Sequence, residues 1–248
     1  MTVETYVTIH DQDLVLSCEA DGRFDPLSHT YLFVGPRPVE RLPKGLKVVV
    51  CRDFEPNFER FPNFYDFTGW YVLAKHDLLT TRHVIMVQYD HRLIEPRAGE
   101  MCAEALSADP GMVAFVTADQ TNWMLKVPGF ESTFRRTALA CGTDSAALEA
   151  AKPVSVWPTT QGTAWRSSYL ELFMAWFTPA FGALENHQLA GHLAERMLHV
   201  YTMLTYPAQV LPGLFHHDSL DCHGTKDLFM GNLASYNEKN AWLQYQSS

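Results

Sequence analysis

His83-Val-Ile-Met-Val-Gln-Tyr-Asp90 is apolar along most of its length and ends in a carboxylate. A strand with one wet face alternates polar and apolar residues. A continuous apolar run between polar ends marks a strand covered on both faces, as in a parallel sheet. Toward the N-terminus, residues 5–10, 30–34 and 46–51 carry shorter β-rich runs, the second stopped by Gly35-Pro36. Residues 66–79 read as a helix between those runs and the 83–90 strand. Toward the C-terminus, 99–108 has a helical pattern that ends at Asp109-Pro110-Gly111, and 112–117 is the next strand. Strands alternating with helices predict an α/β domain with a largely parallel sheet.

After Pro153 the character changes, and 165–177 and 187–206 read as two long helices. In the second, Leu189, Leu193, Met197 and Tyr201 recur every four residues and form one apolar stripe. No repeat and no linker interrupts the pattern. The chain of 248 residues therefore reads as a single domain (1–248), with 1–125 as an α/β binding part and 126–248 as a helical part that closes over the sheet.

The composition excludes several classes. With 47% hydrophobic and 19% charged residues, the chain is neither disordered nor collagenous nor a coiled coil. The formal net charge of −9 repels phosphate backbones, so general nucleic-acid binding is not expected. The five cysteines are odd in number and contain no C-x-x-C pair, which fits a reduced, cytoplasmic protein. The N-terminus has no basic stretch followed by an apolar one, so no signal peptide is expected. The longest mostly apolar stretch, 172–184, is broken by Thr178-Pro179 and is shorter than the ~20 residues of a membrane span. It reads as a core helix and a turn, with a membrane- or acceptor-facing surface as a second use.

Four groups of residues could carry chemistry. Asp90 ends the strongest strand, at the sheet edge where α/β proteins bind ligands. It either ligates a divalent metal that neutralises a diphosphate or caps a turn. Residues 216–223 hold His216, His217, Asp218, Asp221 and His223, ligand types for Zn, Mn or Fe, though their spacing matches no zinc signature. His223 is favoured because Gly224 allows close backbone approach. His192, Glu195, Arg196 and His199 share one side of the last helix. They form either a polar network at a helix–sheet boundary or a general base beside an anion-binding arginine. Finally, the turn 157–166 offers Trp157, Thr163 and Trp165, which can stack on and hydrogen-bond a sugar or base. Thr163 reads equally as a helix N-cap, and Trp165 equally as core.

The order of four elements is similar to that of a known group. Phe61-Pro-Asn-Phe-Tyr-Asp-Phe-Thr-Gly-Trp-Tyr71 precedes the 83–93 strand region, and Gly191-His-Leu-Ala-Glu-Arg196 and the His-rich tail follow late. This order resembles bacterial, phage and large-virus glycosyltransferases of the nucleotide-diphospho-sugar (GT-A, Rossmann-like) fold, including those of capsular polysaccharide synthesis. The resemblance implies transfer of a sugar from a nucleotide-diphospho-sugar, such as a UDP-sugar, to an acceptor hydroxyl, with Mn²⁺ or Mg²⁺ assisting. Asp90 falls at the family's Asp-x-Asp motif, but Arg92 replaces the second aspartate. The metal would then be held by Asp90 with a late histidine such as His223. Glu195, Glu171 and Glu185 are the candidate base or nucleophile. His10, Asp66, Trp70, Thr163, Trp165 and Arg196 are the expected donor contacts. The acceptor is a glycan or another hydroxyl compound, with a modified DNA base still open. Two rival readings are a metal-dependent hydrolase using 216–223 and a non-catalytic carbohydrate-binding protein of the same fold.

Overall fold

The computed structural model describes residues 3–40, 42–108, 110–185, 187–206 and 208–218. The strands are β1 (Val3–Ile9), β2 (His29–Phe33), β3 (Val48–Val50), β4 (His83–Gln88), β5 (His91–Leu93), β6 (Met112–Ala114), β7 (Thr117–Asp119), β8 (Val156–Pro158), β9 (Thr163–Arg166), β10 (Gln209–Val210) and β11 (Phe215–His217). The helices are α1 (Gln12–Ala20), α2 (Asp66–Lys75), α3 (Ala98–Ser107), α4 (Phe130–Ala140), α5 (Ser145–Ala150), α6 (Ser167–Ala183) and α7 (Ala190–Leu204).

Seven strands form one sheet in the order β10-β6-β9-β4-β1-β2-β3. β1 runs parallel to both β2 and β4, and β2 runs parallel to β3. β4 is buried from His83 to Val87, as its continuous apolar run requires. The mostly parallel α/β architecture is thus the one expected.

One strand was not expected. Residues 163–166 were read as a turn leading into a helix at Trp165. They form β9, which lies antiparallel between β4 and β6, and α6 starts only at Ser167. A four-residue strand that runs directly into a helix has too little periodicity to be seen. Its conformation is fixed by the two neighbours that share its hydrogen bonds. β9 and β10 also carry the sheet into the second part of the chain, so 126–248 is not purely helical.

Side-chain alternation along β9 assigns the covering layers. Trp165 points toward α2 and α6, meeting Trp70 at 5.7 Å and stacking on Phe173 at 5.6 Å. Arg166 points the other way and donates from Nε to the Leu106 carbonyl at the end of α3 (3.1 Å). Helices therefore cover both faces. α2 and the turn before it are joined to α6 by a ladder of rings, including Phe67–Phe177 at 5.5 Å and Phe64–Phe181 at 4.7 Å. α2 also sits very close to the sheet, since a Cβ on Gly69 would lie 2.7 Å from Leu32 Cδ2. Among the described residues no helix is long and apolar enough to cross a membrane.

Candidate active site

Three side chains converge just past the carboxyl end of β4. Antiparallel pairing of β5 with β11 sets His217 opposite His91, and directly paired residues project from the same face. Their rings lie 4.4 Å apart. Asp90 approaches both, with Oδ1 3.4 Å from His91 Nδ1 and Oδ2 3.7 Å from His217 Nε2. One candidate ligand atom from each of Asp90, His91 and His217 lies within 4.8 Å of the others. The strand that brings His217 is itself tied down: the Asp218 amide donates to the Asp90 carbonyl (2.8 Å), and Arg23 holds the Asp218 carboxylate at 2.5 Å.

The protonation states suit a cation. Burial alone would push the Asp90 carboxyl up. The adjoining His91 and His217 outweigh it and hold Asp90 down to about 2. Burial, reinforced by His91, pushes His217 down to about 3. At neutral pH this is a carboxylate beside a neutral imidazole, the forms that ligate metals. Asp90 Oδ1 is buried with no hydrogen-bond partner among the described residues. His91 is differently placed. Its Nδ1 accepts from the Gln88 amide (3.2 Å), and its Nε2 faces the turn at Gly162, where a Cβ would come within 3.3 Å. Gly162 also has a φ of 80°, which side-chain-bearing residues rarely adopt. The donor set therefore fits a divalent cation best through Asp90 and His217, with His91 as the ring that orients them.

A cleft adjoins this cluster through Gln88. It is lined by Tyr65, Asp66, Gln88, Thr160, His192 and Glu195 among others. Asp66 opens α2, and Gln88 Nε2 donates to its Oδ2 (2.6 Å). Burial dominates at this carboxyl, the nearby Asp90 adds to it, and Asp66 is raised to about 6. Glu195 enters from α7 as an acceptor of three contacts: Thr160 Oγ1 at 3.0 Å, Arg196 Nη1 at 3.2 Å and His192 Nδ1 at 3.4 Å. Tyr65, just before α2, has φ 50° and ψ −120°, a backbone conformation that favours glycine.

The expected site residues divide into three groups. Asp66, Asp90 and Glu195 come together at this edge. His10 lies at the same edge, exposed beyond β1, with its ring against Tyr89 at 5.2 Å. Four expected donor contacts lie in the interior instead. Trp70 and Trp165 are core residues, and Thr163 is fully buried and accepts from Trp165 Nε1 at 2.8 Å. Arg196 is 0% exposed and its guanidinium is committed internally, donating to the carbonyls of Trp123, His192 and Asn122 over the face of Trp157. All four side chains pack into the core, and none is among the described residues that line the cleft. Glu171 and Glu185 are exposed and do not line the cleft. His223 lies outside the described residues, and the late histidine at Asp90 is His217. Sequence reasoning did not single out Tyr65, Gln88 and Thr160. The aromatic run 61–71 was a visible signal for Tyr65 and the hydroxyl-rich turn 157–166 for Thr160, while nothing local marked Gln88.

No family model matches the chain, and no curated protein matches it by sequence. Solved structures do match. The apo bifunctional glycosyltransferase WbbM superposes with a TM-score of 0.57 at 14% identity, over 87% of this chain and 45% of that one. This chain thus spans less than half of that protein. Galactosyltransferase LgtC, in complex with donor and acceptor sugar analogues, gives a TM-score of 0.41 at 10% identity, over 86% of this chain and 73% of that one. Mouse xyloside xylosyltransferase 1, apo form, gives 0.42 at 10% identity, over 86% and 84%. At such identities the WbbM superposition establishes the fold alone, and that fold is the GT-A glycosyltransferase fold expected from the sequence.

Proposed function

We propose that this chain transfers a sugar from a nucleotide-diphospho-sugar to an acceptor hydroxyl. The observation that carries this reading is Asp90, whose buried Oδ1 accepts no hydrogen bond among the described residues beside a neutral His217, at the strand edge where α/β proteins bind nucleotides. Asp90 and His217 would hold a divalent cation, Mn²⁺ suiting the mixed N and O donors better than Mg²⁺. Such a cation, when bound, neutralises the leaving diphosphate.

The chain's own residues do the rest. Gln88 fixes His91 through its amide and Asp66 through its side chain, coupling the diphosphate end of the site to the sugar end. Asp66, with a carboxyl at about 6, exchanges hydrogen bonds with sugar hydroxyls. Glu195 is held by Thr160 and Arg196 in one orientation and stands as the base or nucleophile near the reacting carbon. The net charge of −9 disfavours a nucleic-acid acceptor and leaves a glycan or small glycoside as the acceptor of choice.

The test is a thermal-shift screen of UDP-, GDP-, ADP- and CMP-sugars with and without Mn²⁺, followed by measurement of donor hydrolysis. A nucleotide-sugar that raises the melting temperature only with Mn²⁺, and is then turned over, is expected. A response to Mn²⁺ alone would favour a hydrolase. Absence of any response would remove the proposal.

A further inference from the structure

Resting on the reading of Asp90 and His217 as a cation site, we infer that Arg23 is the positioning residue that sets the spacing between them. An arginine has no acceptor atom and stays protonated, so it cannot itself be a ligand. Its charge close to a bound cation is unfavourable by Coulomb's law. Whatever Arg23 contributes to a cation site is therefore contributed through geometry.

The need for such a residue comes from β11. It has three residues and pairs with β5 in a sheet of two strands, apart from the seven-stranded sheet. A two-stranded ribbon is marginal by itself, so where His217 stands depends on how the ribbon is fastened at its ends. The Leu214 end is held by the Ile94 and Glu95 amides, both donating to the Leu214 carbonyl (3.0 and 3.2 Å). The His217 end is held at Asp218. Its amide donates to the Asp90 carbonyl (2.8 Å), and its carboxylate accepts from Arg23 Nη1 (2.5 Å). The same Nη1 donates to the Tyr89 carbonyl (3.4 Å). One guanidinium therefore touches both the residue before Asp90 and the residue after His217.

Arg23 is itself anchored. Its amide donates to the Cys18 carbonyl in the last turn of α1 (3.1 Å), and its carbonyl accepts from the Leu93 amide at the end of β5 (2.8 Å). Asp21 Oδ2 accepts from its Nε (3.2 Å) and lies 3.6 Å from Arg92 Nη2. Arg92 stands opposite His216 in the ribbon, and His216 Nε2 lies 3.7 Å from Asp218 Oδ1. By strand alternation these charged residues occupy the face opposite that of His91 and His217. One face of the ribbon thus presents groups to a cation, and the other is fastened to the end of α1 through Arg23. Groups that hold metal ligands in place from behind typically carry ~10–100-fold in metal affinity.

The test is Mn²⁺ affinity without nucleotide, read from the electron paramagnetic resonance of free Mn²⁺, with a melting curve on each sample. The proteins are wild type, Arg23→Met, Arg23→Lys, Asp218→Asn and the double variant Arg23→Met/Asp218→Asn. Charge and geometry predict opposite signs for Arg23→Met. Removing a positive charge near a cation site tightens binding by charge alone, whereas losing the tie loosens it. Arg23→Met is expected to bind Mn²⁺ roughly tenfold more weakly. Arg23→Lys keeps the charge but loses the planar fork and should fall between it and wild type. Asp218→Asn should weaken binding at least as much as Arg23→Met, and the double variant no more than Asp218→Asn, because both changes remove one tie. Unchanged or tighter binding in folded Arg23→Met would overturn the inference and leave the cation site standing. A double variant weaker than Asp218→Asn by a further tenfold would also overturn it, since the two residues would then act separately. Should Arg23→Met fail to fold, Arg23→Lys and Asp218→Asn decide, and normal affinity in both overturns it. A wild type that binds no Mn²⁺ would instead strike the cation reading of Asp90 and His217, and the inference with it.

Discussion

Asp90 and Glu195 are both carboxylates beside histidines at the same edge of the sheet, and the fold satisfies them in opposite ways. Glu195 is filled: Thr160, Arg196 and His192 all bear on it. Among the described residues Asp90 keeps a buried oxygen without a hydrogen bond, only an ion-pair contact with His91, although leaving a buried acceptor unsatisfied costs ~1–3 kcal/mol. Saturation orients a side chain, while an unmet oxygen leaves room for a ligand. The same contrast separates Arg196 from the donor contact it was expected to be, since its guanidinium is spent on three backbone carbonyls inside the core.

The sharpest way to break this comparison is Asp90→Asn. The variant keeps size and loses charge, so transfer should fall ~10³-fold or more, the upper range for removing one preorganised electrostatic group. The melting temperature should hold or fall slightly at neutral pH, because the fold favours the ionised form of this carboxyl. Steady-state transfer and a melting curve read both. Near-normal turnover would equate Asp90 with an ordinary turn cap.

Glu195→Gln should do less. If Glu195 acts on the reacting sugar, turnover falls ~10²-fold, and the amide oxygen still accepts from one of the two donors, Thr160 at the Oε1 position or Arg196 at Oε2. Donor affinity should barely move, which a calorimetric titration would check. A lowered melting point with normal turnover of the folded fraction would make Glu195 part of the scaffold, as Arg196 is.

The smallest effect concerns Asp66 and depends on pH. Its folded value of about 6 lies above the ordinary 3.8. The protonated form is therefore favoured by folding, and that stability is complete below 3.8 and lost as pH rises through about 6. The shift corresponds to at most about 3 kcal/mol, part of which the altered hydrogen bonding of an amide offsets. Asp66→Asn should be close to neutral at pH 4 and stabilising by ~1–2 kcal/mol at pH 8. Denaturant melts at the two pH values measure the difference; equal effects at both would place the Asp66 titration elsewhere.

The fold was legible where one strand's burial is written in its own residues. β4 reads as a doubly covered strand because residues 83–87 need no partner to reveal themselves, and Asp90 followed from its position. β9 was not legible, since Thr163-Ala-Trp-Arg166 acquires its conformation from β4 and β6 rather than from its own pattern. The site was legible in type and only partly in membership. A late histidine was expected at Asp90, but choosing His217 required the register of β5 with β11, a pairing of segments remote in sequence. The helical stripe His192–Glu195–Arg196–His199 was correctly spaced, yet α7 is buried around most of its circumference. Spacing could therefore not tell the residues aimed at the cleft from those aimed at Trp123 and Trp157.

The β5–β11 pairing also sets a chronology. A chain leaves the ribosome from its N-terminus, and folding can begin before synthesis ends. β1, β2 and β4, together with Asp90 and His91, are all made long before β9 inserts between β4 and β6. His217 arrives later still, with the last strand described. A nascent chain halted before Phe215 would contain every strand of the large sheet and still lack one of the three groups that meet at Asp90. The three side chains of the proposed cation site are thus brought together only when almost all of the described chain has been made.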